Sequence, residues 1–89
     1  MATIFISPSI ATICQTPKEC VVNKNNLEDI VKSLFDRYPS IREAITKEDG
    51  TFNEFIGFFV DNERVDGEFD KITVSDNSEI FVMSAIAGG

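Results

Sequence analysis

The residues with the most distinctive chemistry stand at the end of the chain. Residues 84–89 read Ser-Ala-Ile-Ala-Gly-Gly, so that Gly88 and Gly89 close the sequence. Two glycines without Cβ atoms can thread a narrow channel and adopt backbone conformations that are closed to other residues. A free carboxylate is a poor electrophile, and chemistry at Gly89 would therefore need activation by another enzyme. Taken alone, the pair is equally compatible with a frayed chain end.

The side chains form no familiar catalytic set. The chain has no histidine, so a Ser or Cys nucleophile lacks its usual base. Cys14 and Cys20 are the only cysteines, too few to suggest a disulfide framework. Since the chain has no histidine to complete a metal site, we predict that both cysteines are free thiols that serve as small side chains. We therefore predict that the chain is not an enzyme and has no metal or cofactor of its own.

The charge distribution restricts the partners. The net charge is −7, and positions 61–79 contribute −5 of it. Nucleic acid is a poor partner for this surface because phosphate binding requires clustered Lys and Arg. A basic protein partner fits better. The acidity can equally serve only to keep a small protein soluble, and both interpretations stay open.

Length and composition set the frame for these residues. Eighty-nine residues with 43% apolar side chains predict a single globular domain over 1–89. The longest apolar stretch, at 55–60, is too short to cross a bilayer. The N-terminus has no basic residues ahead of its apolar segment, unlike a signal peptide. We expect a cytoplasmic protein that does not bind membranes.

The clearest element is a helix at about 26–38. Its apolar residues follow helical spacing and form one stripe, made of Leu27, Ile30, Val31, Leu34, Phe35 and Tyr38. Either Asn25 or Asn26 supplies the N-cap, and Pro39 stops the helix. A capping box of Ser40 and Glu43 predicts a short second helix near 41–46.

Five short segments have strand character, at about 3–7, 19–22, 55–60, 64–65 and 79–84. Residues 12–18 are predicted as a loop. One main helix can cover only one face of the resulting sheet. The side chains assigned to the covered face are Ile4, Ile6, Val22, Ile56, Phe58, Ile80 and Val82.

The opposite face then carries large apolar side chains, which are Phe5, Phe55, Phe59, Phe81 and Met83. A contiguous exposed apolar patch tends to mark a binding site. The competing interpretation is that the register of one strand is inverted by one residue, which would move its side chains to the other face.

Three segments together resemble a known family. They are 59–65 (Phe-Val-Asp-Asn-Glu-Arg-Val), 76–82 (Asp-Asn-Ser-Glu-Ile-Phe-Val) and 85–89 (Ala-Ile-Ala-Gly-Gly). With the capped helix and the segment 38–41, they resemble the ThiS/MoaD family of ubiquitin-like sulfur carriers. The strand at 55–60 and the last five residues are most similar to those of the CysO-type members. The length of the chain is typical of the longer, MoaD-type members of the family.

The resemblance implies an α+β, ubiquitin-like β-grasp fold with a mixed sheet of four or five strands and one main helix on one face. It implies a flexible tail at about 85–89 and a function as a sulfur carrier. An E1-like, ATP- and Mg-using enzyme would adenylate Gly89, with Gly88 giving access. Sulfur would then replace AMP, and the thiocarboxylate would donate its sulfur to a biosynthetic synthase.

Docking to these partners is expected at Phe5, Phe59, Phe81 and Met83, together with Ile86 and Ala87 of the tail. The free protein is expected to be a monomer. Sulfur assimilation into cysteine or homocysteine is favoured over a role as the small molybdopterin synthase subunit. Two other hypotheses stay open. One is a ubiquitin-like modifier conjugated through Gly89, and the other is an interaction domain with an inert tail.

Overall fold

The computed structural model describes residues 1–84, in which five strands form one mixed sheet. The strands are β1 Ala2–Ile6, β2 Glu19–Val22, β3 Ile56–Val60, β4 Glu63–Val65 and β5 Glu79–Ser84. Their order across the sheet is β2-β1-β5-β3-β4. The central pair, β1 and β5, is parallel, and the other neighbours are antiparallel.

The helices are α1 Pro8–Cys14, α2 Leu27–Arg37 and α3 Pro39–Ile45, and a 3-10 turn covers Phe69–Lys71. Their buried side chains share one core with the inward side chains of the sheet. The predicted covered face is confirmed, since six of its seven residues are buried and Ile56 packs half-buried against them. All three helices therefore lie on one side of the sheet.

The main helix begins where its cap and charges favour it. The Asn26 side-chain oxygen accepts hydrogen bonds from the backbone N–H groups of Glu28, at 3.0 Å, and Asp29, at 3.4 Å. The Asn26 amide nitrogen also donates to the carbonyl of Asp70 at 2.7 Å. Of the two candidate caps, the structure thus selects Asn26. This one side chain satisfies the first turn and ties α2 to the 3-10 turn.

Replacing Asn26 with alanine should lower the free energy of unfolding by about 1–2 kcal/mol, because the first turn loses its acceptor. Asn25→Ala is the matched control, since the Asn25 side chain is exposed. Within residues 1–84, the hydrogen bond of Asn25 is the one that its backbone carbonyl accepts from the N–H of Val74. The control should change stability by less than about 0.5 kcal/mol. Urea denaturation of both variants measures the difference, and equal losses would contradict the assignment of the cap.

The helix α1 was not predicted, and the assignment of 12–18 as a loop is wrong up to Cys14. Pro8, which follows the predicted strand at 3–7, occupies the first turn of α1. Proline suits that position because its missing N–H is not needed there. The helix is seven residues long and buries Ile10, Ala11 and Cys14. A stripe this short gives little periodic signal in the sequence.

The predicted capping box at Ser40 is also wrong. The N-cap of α3 is Tyr38, and Pro39 begins the helix. The Ser40 hydroxyl instead donates to the carbonyl of Cys14 at 3.1 Å, and the Cys14 thiol donates back to the Ser40 carbonyl at 3.4 Å. This reciprocal pair of hydrogen bonds joins α1 to α3. The Ser40 hydroxyl therefore makes a tertiary hydrogen bond and does not cap its own helix.

Candidate functional site

The face of the sheet that the helices leave uncovered carries a line of three phenylalanines. The strand register places Phe5 of β1 opposite Phe81 of β5, and Phe81 opposite Phe59 of β3. The rings of Phe5 and Phe81 are stacked, with centroids 4.9 Å apart. All three rings are half-buried. We refer to Phe5, Phe81 and Phe59 as the aromatic row.

The aromatic row has an acid at one end and a base at the other. Glu19 of β2 lies opposite Phe5, and Arg64 of β4 lies opposite Phe59. The Arg64 guanidinium carbon is 6.0 Å from the centroid of the Phe59 ring, and its Nε donates to Asp66 at 2.8 Å. Charges of opposite sign at the two ends can fix the orientation of a docked partner.

A glycine shapes the surface beside the row. Gly57 lies opposite Met83, which is exposed. A Cβ atom at Gly57 would stand only 3.2 Å from Cε1 of Phe59 and 3.4 Å from Nη1 of Arg64. The missing side chain therefore lets the Phe59 ring and the guanidinium lean over the strand. Together with Met83 they border a shallow depression on this face.

The uncovered face brings four of the predicted site residues together, namely Phe5, Phe59, Phe81 and Met83. Phe55 is exposed but precedes β3, which begins at Ile56, and so it borders the depression from a turn. The other predicted site residues, Ile86, Ala87, Gly88 and Gly89, lie outside the described residues. The predicted site residues do not include Glu19, Gly57 and Arg64, because only the cross-strand register reveals that these three adjoin the row.

The strand that leads to the C-terminal segment is the central one. The strand β5 lies between β1 and β3, and it ends at Ser84, which is paired with Ile56. Met83, the preceding residue, stands on the uncovered face. The strand β5 therefore ends beside the uncovered face.

The two thiols show no sign of chemical activation. Cys14 and Cys20 are both free and buried. Burial raises the pKa of each thiol, and the nearby Arg37 opposes this only in part at Cys20. A raised pKa keeps a thiol protonated, and the thiolate is the nucleophilic form. This agrees with the interpretation of both residues as small core side chains.

Two other kinds of site are absent from residues 1–84. No group of three or more His, Cys, Asp or Glu side chains in this part of the chain is placed to hold a metal ion. In the same residues, no helix has the length and apolar character needed to span a membrane.

Comparisons with known proteins find similarity in three-dimensional structure. No family model and no curated protein matches the chain, whereas several solved structures do. CysO, from the BexX/CysO complex of Amycolatopsis orientalis, matches with a TM-score of 0.79 and 23% identity, covering 100% of both chains.

Two further structures match over nearly the whole chain. The small archaeal modifier protein 1 of Methanosarcina acetivorans has a TM-score of 0.78 and 17% identity, covering 99% of this chain and 95% of its own. CysO of Mycobacterium tuberculosis, described as an antigen, has a TM-score of 0.77 and 17% identity, covering 97% and 100%. At such identities the likeness establishes the fold and confirms the predicted class, so the chain is a ubiquitin-like β-grasp protein.

Proposed function

We propose that this chain is a sulfur carrier that is loaded at the carboxyl group of Gly89. The observation that carries the proposal is the position of β5. This central strand ends at Ser84 beside the uncovered face, which carries the aromatic row and Met83 and which we call the docking face. The next five residues of the sequence, 85–89, end in two glycines. The arrangement suits a protein that is held by its sheet while its terminus is presented to an enzyme.

The chemistry takes place at the terminus and in the partner. The Gly89 carboxylate attacks the α-phosphate of ATP in an E1-like activating enzyme, and pyrophosphate leaves. A hydrosulfide ion then attacks the acyl carbon of the adenylate and forms the C–S bond, while the bond from that carbon to the phosphate oxygen breaks and AMP leaves with one carboxylate oxygen. The product is a C-terminal thiocarboxylate that donates its sulfur in biosynthesis. The ATP and Mg belong to the partner, and the carrier itself supplies only the acyl group.

The residues of the folded part serve docking. Aromatic and Met side chains make strong anchors in protein interfaces, so the aromatic row and Met83 are assigned to the activating enzyme. Glu19 and Arg64 at the ends of the row orient it. In the tail, Ile86 and Ala87 contact the partner and Gly88 gives access to its channel. The excess of acid in positions 61–79 speeds association with a basic partner.

The sulfur acceptor that we favour is a synthase of cysteine or homocysteine formation. The likeness to CysO in two of the structures above supports this choice over molybdopterin synthesis. The solved complex of CysO with BexX also supports binding to a second protein. The likeness to a small archaeal modifier protein favours one alternative, in which Gly89 is joined to lysine side chains of other proteins.

Intact-mass measurement of the protein isolated from its host tests both functions. A sulfur carrier gains about 16 Da when one oxygen is replaced by sulfur. A modifier instead appears in covalent adducts with other proteins. A population that carries neither change, in cells that make the protein and grow on sulfate as the sulfur source, would contradict both functions.

A further inference from the structure

A second open surface lies on the helical side of the sheet, away from the aromatic row. It is a groove of about 500 Å³ between α2, the segment 52–54 and the β3–β4 hairpin. Its apolar lining consists of Val31, Phe52, Ile56, Phe58, Val65 and Phe69. We refer to it as the α2–β3 groove. None of these residues belongs to the aromatic row, although Ile56 also borders the depression beside it.

The base of the groove is a packed aromatic cluster. The ring centroid of Phe52 is 4.7 Å from that of Phe58 and 5.5 Å from that of Phe69, and those of Phe58 and Phe69 are 5.1 Å apart. Phe58 is buried, whereas Phe52 and Phe69 are half-buried. Two of the three rings therefore present part of their surface to the groove, while the core holds all three in place.

The rim of the groove has an excess of negative charge. Four acids line it, Glu28, Glu54, Asp66 and Glu68, against two cations, Lys32 and Arg64. Both cations are engaged, because Lys32 lies 3.9 Å from Glu28 and Arg64 lies 2.8 Å from Asp66.

The other two acids make up the excess. Glu68 has only an exposed partner, Lys71, at 3.1 Å, and Glu54 has no ion pair among residues 1–84. The groove thus combines exposed aromatic surface with two carboxylates that its own cations do not neutralise.

We propose that the α2–β3 groove binds an arginine side chain from a basic segment of a partner protein. A guanidinium is planar and weakly hydrated, so it can lie on aromatic rings while its N–H groups meet carboxylates. Here Phe52 and Phe69 supply the rings, and Glu54 and Glu68 supply the acceptors. Aliphatic residues beside the arginine would contact Val65.

This inference does not depend on sulfur chemistry. The aromatic row and the apolar lining of the groove lie on opposite sides of the sheet, and Glu54 and Arg64 border both surfaces at its edge. A protein held through the groove would leave the rings of Phe5 and Phe81 uncovered for an activating enzyme. The groove is therefore assigned to a partner other than that enzyme.

Peptide titration of the isotope-labelled full chain, followed by amide NMR, tests the proposal. The probe is acetyl-Leu-Arg-Leu-Arg-Leu-amide, and the control peptide has glutamine in place of both arginines. The arginine peptide should bind saturably and about tenfold more tightly. Its largest shifts should fall on residues 52–54 and 65–69. Equal binding of the glutamine peptide, or shifts centred on Phe5 and Phe81, would overturn the proposal.

Two matched variants separate local recognition from net charge. Glu54→Gln with Glu68→Gln should weaken the arginine peptide about fivefold, as expected for two exposed charge contacts. Glu43→Gln with Glu48→Gln removes the same charge at exposed positions outside the groove. This control should change affinity by less than about twofold, because salt screens distant charges. If both double variants weaken peptide binding equally, the effect comes from net charge alone and the proposal is overturned.

Discussion

Removal of Gly88 and Gly89 is expected to lower adenylation of the C-terminus at least about 100-fold, since displacing a reacting group by even about 1 Å can cost that much. The truncated chain ends at Ala87, so its carboxylate stops two residues short and carries a Cβ into the channel. ATP–pyrophosphate exchange with the activating enzyme of the same host measures the loss. Thermal unfolding should be unchanged, because both glycines follow the last residue of β5, Ser84.

A one-residue extension is the matched control for this deletion. A serine added after Gly89 keeps both glycines and the whole of β5 but moves the carboxylate one residue further out. Exchange should again be lost, while binding to the activating enzyme persists. Full exchange in either variant would exclude the carboxyl group of the diglycine end as the position that the enzyme activates. No exchange with the unaltered chain would leave an interaction domain that uses only its folded surface.

Replacing Phe81 with alanine is expected to weaken binding to the activating enzyme about 30-fold, the effect of a hot spot worth about 2 kcal/mol. Phe81 is the middle residue of the aromatic row, stacked on Phe5 and paired across strands with Phe59. Its loss removes the ring at the centre of the apolar surface and the stacking partner of Phe5. Titration calorimetry with the activating enzyme measures the change.

Val21→Ala is the control for this substitution. Val21 is 43% exposed on β2, pairs with Thr3 and stands on the same face outside the row. Its replacement should change affinity by less than about threefold, as is usual for contacts away from a hot spot. Urea denaturation of both variants corrects for any loss of folded protein. A Phe81→Ala variant that loses stability but binds normally would remove the aromatic row from the docking surface.

The two predictions act on different steps and can fail separately. The deletion leaves the docking face intact, so it should reduce turnover without reducing affinity. The Phe81 substitution leaves Gly89 intact, so saturating amounts of the carrier should restore turnover. A sulfur carrier with a different docking surface would therefore pass the first test and fail the second.

Elements whose pattern is local could be predicted from the order of the residues. Strict alternation identified β1 and β5, with Ile4 and Ile80 inward and Phe5 and Phe81 outward. The apolar stripe and Pro39 delimited α2 to within one residue at either end. Between the predicted strands at 55–60 and 64–65, Asp61 and Asn62 adopt positive φ, at 49° and 72°, which residues of these two types tolerate. The resemblance of nearly the whole chain to a known family indicated the fold class.

Tertiary structure alone decided the features that depend on which strands and helices meet. Ser40 has a good local partner in the sequence, yet it bonds to Cys14, 26 residues away. Glu19 and Arg64 gain their place at the ends of the aromatic row only from the order of five strands. The α2–β3 groove is lined by residues from 28 to 69 that share no motif. Periodicity acts over a few residues, whereas register and helix packing join distant ones, so the surface chemistry emerges only in the folded chain.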